Sequence, residues 1–276
     1  MTASFGARYR TALDTRGPLC VGIDPHAALL RDWGLNDDVA GLERFAMTVV
    51  DAVAGDVALV KPQSAFYERF GSRGIAVLEK VIAASRDAGA LVLLDVKRGD
   101  IGSTSQAYAD AYLDPASPLF SDAITVSPYL GFGSVDPMIE TALRHDAGVF
   151  VLALTSNKEA PEVQHAVGAE GRTVAGRVLD RLRQLNAGEE PLGSIGAVIG
   201  ATIGETGESF DFNGPILAPG IGAQGGTVAD VRRIFGAAAR NVAPSSSRQL
   251  LQVGPEAGAL REAARRTNDE FRGLVG

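Results

Sequence analysis

Short runs of apolar, largely β-branched residues recur from one end of the chain to the other. They occupy residues 19–23, 57–60, 91–96, 123–126, 149–154, 195–201, 215–218 and 240–243. Each has the length of a strand and is nearly continuous in apolar character, as parallel strands buried on both faces are. Between them, apolar residues return at helical spacing. Leu42, Phe45, Val49 and Val53 form one such stripe, and Ile75, Leu78, Val81 and Ile82 another. Later stripes are Met138, Ile139 and Leu143; Val174, Val178 and Leu182; Val228, Val231 and Ile234; and Leu260 with Ala264.

Eight strands alternating with helices predict an α/β fold, a closed (β/α)8 TIM barrel. The competitor is an open doubly wound sheet. Its glycine-rich turn after the first strand is missing, because that strand ends Gly22-Ile23-Asp24-Pro25. No low-complexity linker divides the chain, so residues 1–276 read as one barrel domain. Residues 187–193 and 204–214 read as loops within it. The first 17 residues read as a helical lead-in that closes the bottom of the barrel.

Composition narrows the function. The net charge is -7, which disfavours a polyanionic partner, so no nucleic acid is expected. A small phosphorylated ligand needs only a few local donors and stays open. The single cysteine, Cys20, excludes an intrachain disulfide and reads as a buried, inert thiol. His26, His145 and His165 are scattered, without the spacing of a metal site or a Ser/His/Asp triad, so no metal is expected. The chain shows neither an apolar signal region nor a stretch that spans a membrane, and a cytoplasmic location is expected.

In a barrel, the C-terminal strand ends and the loops after them build the active site. Reactive residues collect there. The first strand runs into Asp24, the second into Lys61, the third through Asp95 and Lys97 to Asp100, and the fourth ends with Ser127. The seventh runs into a glycine-rich segment, residues 219–226, and the eighth into Ser245–Ser247 and Arg248. Alternation puts Asp95 and Lys97 on one face of the third strand and Val96 on the other. Charges at the end of a buried strand are costly to desolvate unless paired, and an apolar pair would often serve stability equally well, so their presence points to function. A structural ion-pair network at the barrel rim is the competing reading. The glycines could simply turn the chain, and Arg248 alone could be a solvated surface residue. Yet loops after strands seven and eight frequently bind phosphate in barrels, and an arginine offers a fork of donors to a dianion.

The segment Asp95-Val-Lys97-Arg-Gly-Asp100-Ile-Gly-Ser-Thr104 resembles the signature of the orotidine 5'-phosphate decarboxylase family: Asp-x-Lys, then x-x-Asp, then Ile-x-x-Thr. The likeness extends to Gly-Ile-Asp24-Pro, to Lys61 after the second strand, to Ser-Pro-Tyr after the fourth and to Pro-Gly-Ile-Gly-Ala-Gln-Gly-Gly after the seventh. The run Lys61-Pro62-Gln63 is similar to that of the longer bacterial branch. The resemblance implies cofactor-free decarboxylation of orotidine 5'-monophosphate to uridine 5'-monophosphate, the last step of de novo pyrimidine nucleotide biosynthesis.

It also implies roles. Lys61, Asp95, Lys97 and Asp100 would form an alternating charge array. Asp100, with Thr104 beside it, would reach the neighbouring subunit's site, making the active unit a homodimer. Asp24 and Lys61 would hold ribose hydroxyls, and Ser127 the pyrimidine. Gln224 and Arg248 would contact the phosphate, aided by backbone N–H groups of Gly225 and Gly226, and a loop around Ala223 and Gln224 would close over it. One departure stands out: Ser247 precedes Arg248 where many members carry glycine.

The chemistry suits these residues. Decarboxylation leaves negative charge on a ring carbon with no conjugated electron sink, so stabilisation must be electrostatic. A lysine ammonium at that carbon supplies it and can then donate a proton. Flanking carboxylates favour the ammonium form, the opposite of what a Schiff-base aldolase needs. Two other readings remain: a metal-dependent 3-keto-sugar-phosphate decarboxylase on the same barrel, which would need a further carboxylate where Lys61 stands, and a non-catalytic barrel that binds a phosphorylated ligand.

Overall fold

The computed structural model describes residues 3–221 and 225–275. Among the described residues, eight strands form the sheet: β1 Cys20–Ile23, β2 Leu59–Pro62, β3 Leu91–Arg98, β4 Ala123–Val126, β5 Gly148–Leu154, β6 Ile195–Ile199, β7 Ile216–Pro219 and β8 Val242–Ser246. They are parallel and pair in sequence order, and β8 returns to β1 through Cys20 and Ser245, closing the barrel. The fold is the expected TIM barrel.

Period-two alternation divides the apolar residues into two cores. Leu59, Leu93, Ala123, Phe150, Leu217 and Ala243 point inward and fill the barrel. Val21, Val60, Val92, Ile124, Val149 and Ile216 point outward and pack beneath the helices. A strand buried on both faces has no polar side to show, which is why the sequence runs are continuous. The helices cover the outer core with one face each. In Val39–Val53, Leu42, Phe45 and Val49 are fully buried, and the Asp38 side chain caps the start by accepting from Gly41 N–H at 2.8 Å.

The N-terminal helix, Phe5–Arg16, plugs the bottom of the barrel as expected. Phe5, Tyr9 and Leu13 are fully buried and join the inner core. The Phe5 ring meets Phe150 edge-on at 6.1 Å. Glycine is required opposite it, since a Cβ at Gly148 would lie 2.3 Å from the Phe5 ring.

Three elements depart from expectation. The eighth strand begins at Val242 rather than residue 240, because Gly236–Asn241 is a 3-10 helix, and it continues through Ser246. Its serines are buried by ring closure, not by hydrophobicity, so an apolar run underestimates it. The helix Gly102–Leu113 between β3 and β4 has no apolar stripe in the sequence, since its buried face includes Ser105 and Ala109 beside Tyr112 and Leu113. Residues 202–215, between β6 and β7, contain no helix; Phe210 and Phe212 cover the outer core there instead.

Because Phe150 fills the barrel axis against Phe5 and Tyr9, Phe150→Ala should destabilise the chain by about 3–5 kcal/mol. Denaturant unfolding of the two proteins checks this.

Candidate active site

The C-terminal strand ends surround a cavity of about 510 Å3. The inward positions of β1, β2 and β3 carry leucine, cysteine or glycine low in the barrel and charge at the top. Asp24 follows β1, Lys61 lies in β2 and Asp95 in β3, and all three are buried. Lys61 Nζ lies 3.2 Å from Asp95 Oδ2 and 4.0 Å from Asp24 Oδ1. Lys97 Nζ donates to both oxygens of Asp95, at 2.6 and 2.7 Å. The four groups therefore form one chain of alternating charge across three adjacent strands.

Burial opposes charge on Asp95, yet Lys61, Lys97 and the hydrogen bonds from Lys97 and Thr125 outweigh it and hold the carboxyl at about 2. Burial likewise opposes the charge on Lys61, but Asp24 and Asp95 more than offset it and raise its pKa above the ordinary value. Burial pushes the Cys20 thiol, deeper in the same barrel, up to about 12, so it stays a neutral packing group.

Lys97 reaches the cavity through a local break in the sheet. Leu94 pairs with Ile124, but the next pair is Arg98 with Val126, so β3 holds two more residues than β4 across this interval. The expected alternation survives it, since Asp95 and Lys97 line the cavity while Val96 joins the outer core. Lys97 adopts φ +45°, a left-handed conformation costly for a side chain of this kind. The break is clamped from both sides. Arg98 points outward and donates to Glu68 Oε1 at 2.5 Å. Ser127 N–H donates to the Arg98 carbonyl at 2.7 Å, and a Cβ at Gly99 would sit 2.2 Å from the Ser127 oxygen, so only glycine fits there.

The cavity gathers several of the other expected residues. Ser247 and Arg248 line it beside Asp24. Ser247 Oγ and Asp24 Oδ1 are buried without a hydrogen-bond partner among the described residues, which leaves polar atoms at the cavity. Gly225 is exposed, while Gly226 N–H already donates to the Gly220 carbonyl at 3.1 Å. Gln224 and Ala223 lie outside the described residues. Asp100 and Thr104 do not line this chain's own cavity. The Asp100 carboxylate accepts from Ile101 N–H at 2.8 Å, and Thr104 is exposed.

Ser127 departs from expectation. It opens onto an adjoining cavity between the β4 loop and the helix Val174–Leu185, with Tyr129 and Arg181. Alternation explains this: Thr125 is the inward residue of β4 and lines the charged cavity, whereas Ser127 lies past the strand, bound by its backbone to the break in β3. Sequence reasoning passed over Thr125 because it sits inside an apolar run; its polarity at an inward position was the available signal. Thr155, Ser156 and Asn157, after β5, and His26 also line the cavity. Burial, then Arg248 and Arg69, against the pull of Asp24, leave His26 with a lowered pKa.

Among the described residues, no three His, Cys, Asp or Glu side chains converge as a metal site, and no helix is long and apolar enough to cross a membrane.

Residues 17–263 match the model of the orotidine 5'-phosphate decarboxylase / HUMPS family. The chain is 71% identical over 271 residues to the orotidine 5'-phosphate decarboxylase of a Nocardioides species, covering 97% of this chain and 98% of the relative. It is 63% identical over 273 residues to the Streptomyces coelicolor orotidine 5'-phosphate decarboxylase, covering 98% of each. The crystal structure of a Streptomyces avermitilis protein, provisionally assigned the same activity, superposes with a TM-score of 0.97 at 63% identity, covering 99% of this chain and 96% of that one.

Asp95 is depressed in the folded chain, so its charge stabilises the fold above the ordinary carboxylate range, and that contribution is lost as pH falls through about 2. Asp95→Asn should cost roughly 3–5 kcal/mol near neutral pH, because Lys61 then lacks its nearer counter-charge. The gap between the two proteins should narrow as the pH falls below about 4. Denaturant midpoints measured across that range check it; a gap independent of pH would contradict the assigned charge state.

Proposed function

The chain belongs to the orotidine 5'-phosphate decarboxylase family, and from that premise we propose that Lys97 is the acid of its reaction. The reaction converts orotidine 5'-monophosphate to uridine 5'-monophosphate and carbon dioxide in pyrimidine biosynthesis. As the carbon–carbon bond breaks, its electron pair stays on the pyrimidine ring carbon. The Lys97 ammonium stabilises that charge and delivers a proton to the same carbon, and the resulting amine is reprotonated from solvent. The observation that carries this is the two-oxygen contact between Lys97 Nζ and Asp95, which favours an ammonium at the cavity wall.

The remaining groups bind and orient. Asp24, with its unpartnered Oδ1 beside Lys61, suits ribose hydroxyls. Arg248 and Ser247 line the cavity where a phosphate dianion fits, and Gln224 and Gly225 join them by their place in the glycine-rich run that follows Gly220 and Ile221 of the cavity wall. Ser156, at the end of β5, is better placed than Ser127 for the pyrimidine, since it lines the charged cavity. Phosphate is remote from the reacting carbon, so its binding energy serves orientation.

The active unit is a homodimer in which Asp100 and Thr104 complete the partner's site. Support comes from their position outside this chain's cavity and from exposed apolar residues on the same rim: Ile101, Tyr129 and Leu130 are 62%, 77% and 55% exposed. The metal-dependent sugar-phosphate reading fares worse. The Lys61 ammonium sits between the Asp24 and Asp95 carboxylates, in the space a divalent cation would need.

Loss of orotidine 5'-monophosphate should proceed in the presence of a chelator, and Lys97→Ala should lower kcat by at least about 10²–10⁴-fold while remaining folded. Activity abolished by chelation, or retained by Lys97→Ala, would refute the mechanism. For the dimer, Asp100→Ala and Lys97→Ala are each expected to be nearly inactive. Refolded together, they should recover roughly a quarter of parental activity, because a hybrid dimer holds one site with neither change. A mixture no better than its parts would exclude a shared site.

A further inference from the structure

The break in β3 leaves one backbone donor without its sheet partner. In a regular strand the Lys97 N–H would point toward β2, as the backbone groups of Leu91 and Asp95 do, but the register slips by two residues against β4 and the N–H is turned to the β4 side with no carbonyl to meet. The Thr125 hydroxyl takes its place. Its Oγ1 accepts from Lys97 N–H at 2.9 Å and donates to Asp95 Oδ1 at 2.8 Å. A hydroxyl has one proton and two lone pairs, and a carboxylate has no proton to give, so both directions are fixed. Thr125 is 1% exposed, and its bond to Asp95 is buried. One side chain from β4 thereby ties the backbone of Lys97 to the carboxylate that its own ammonium contacts.

We propose that Thr125 is a positioning residue for decarboxylation, holding the left-handed turn at Lys97 and the orientation of Asp95 so that the Lys97 ammonium points at the reacting carbon. It touches the catalytic pair and acts through it. The inference rests on Lys97 being the proton donor. A left-handed lysine persists only where its surroundings over-determine it, and among the described contacts this hydroxyl is the one on the Lys97 backbone N–H. The phosphate and ribose groups, Arg248 and Asp24, follow other strands, β8 and β1, and make no contact with it among the described hydrogen bonds.

The experiment compares the parent with Thr125→Val, which keeps the shape and removes the hydroxyl, and Thr125→Ser, which restores it. Thr125→Val should lower kcat roughly 10- to 100-fold, the loss of one hydrogen bond to a charged group, with KM changed by less than about threefold. Thr125→Ser should lie within about threefold of the parent in kcat. Should the valine protein not fold, Thr125→Ala carries the same test without a second methyl against the carboxylate. A hydroxyl-free protein with parental kcat overturns the proposal, as does a serine variant no better than the hydroxyl-free one. A purely structural role would lower the unfolding midpoint while leaving kcat per folded molecule unchanged, and that outcome also overturns it. Lys97→Ala, assayed alongside, separates the two failures: an active Lys97→Ala removes the underlying mechanism, whereas an inactive one with parental Thr125→Val removes this proposal alone.

Discussion

The Asp95 carboxylate sits at the inner end of a barrel strand, 7% exposed, where an unpaired charge would be expelled or neutralised. It is held ionised by two ammonium groups and a hydroxyl that come from its own strand and from the strands on either side. Lys61 is in turn tolerated because two carboxylates face it. Removing Asp95 would leave the buried Lys61 with only the more distant Asp24 carboxylate. The charge array therefore exists only where three neighbouring strands keep their register, and the chemistry inherits that requirement.

The two ends of the barrel use buried polarity differently. At the bottom, polar groups work on the protein itself. Asp122 accepts from Arg8 at 2.7 Å and from Val92 N–H at 3.0 Å, and Asn186 holds the entrance to β6 by exchanging hydrogen bonds with Ile195. At the top, Asp24 Oδ1 and Ser247 Oγ have no hydrogen-bond partner among the described residues, and Lys97 sits in a costly backbone conformation. Satisfied groups stabilise; unsatisfied and strained ones are the parts a substrate can use.

The break in β3 joins these themes. Alternation alone puts Asp95 and Lys97 on the cavity face and Val96 on the helix face. The two extra residues turn the Lys97 backbone toward β4, while Val96 packs outward and Arg98 anchors to Glu68. Adjacent strands supply what the break takes away: Thr125 satisfies the stranded N–H, and Ser127 binds the backbone beyond it.

Much was legible in the chain before it folded. Continuous apolar runs, helical stripes and charged residues just past the strands gave the barrel and placed Asp24, Lys61, Asp95, Lys97 and Arg248 around its mouth. Those are local properties, because burial on two faces and the two-residue pleat are imposed within a single strand. What only the tertiary structure decided was which polar atoms meet. Thr125 enters the cavity and Ser127 leaves it, Gly226 spends its N–H on Gly220, and β8 extends through its serines. Each follows from register between strands distant in sequence. That register is fixed by packing around the whole ring, which no single segment of the chain encodes.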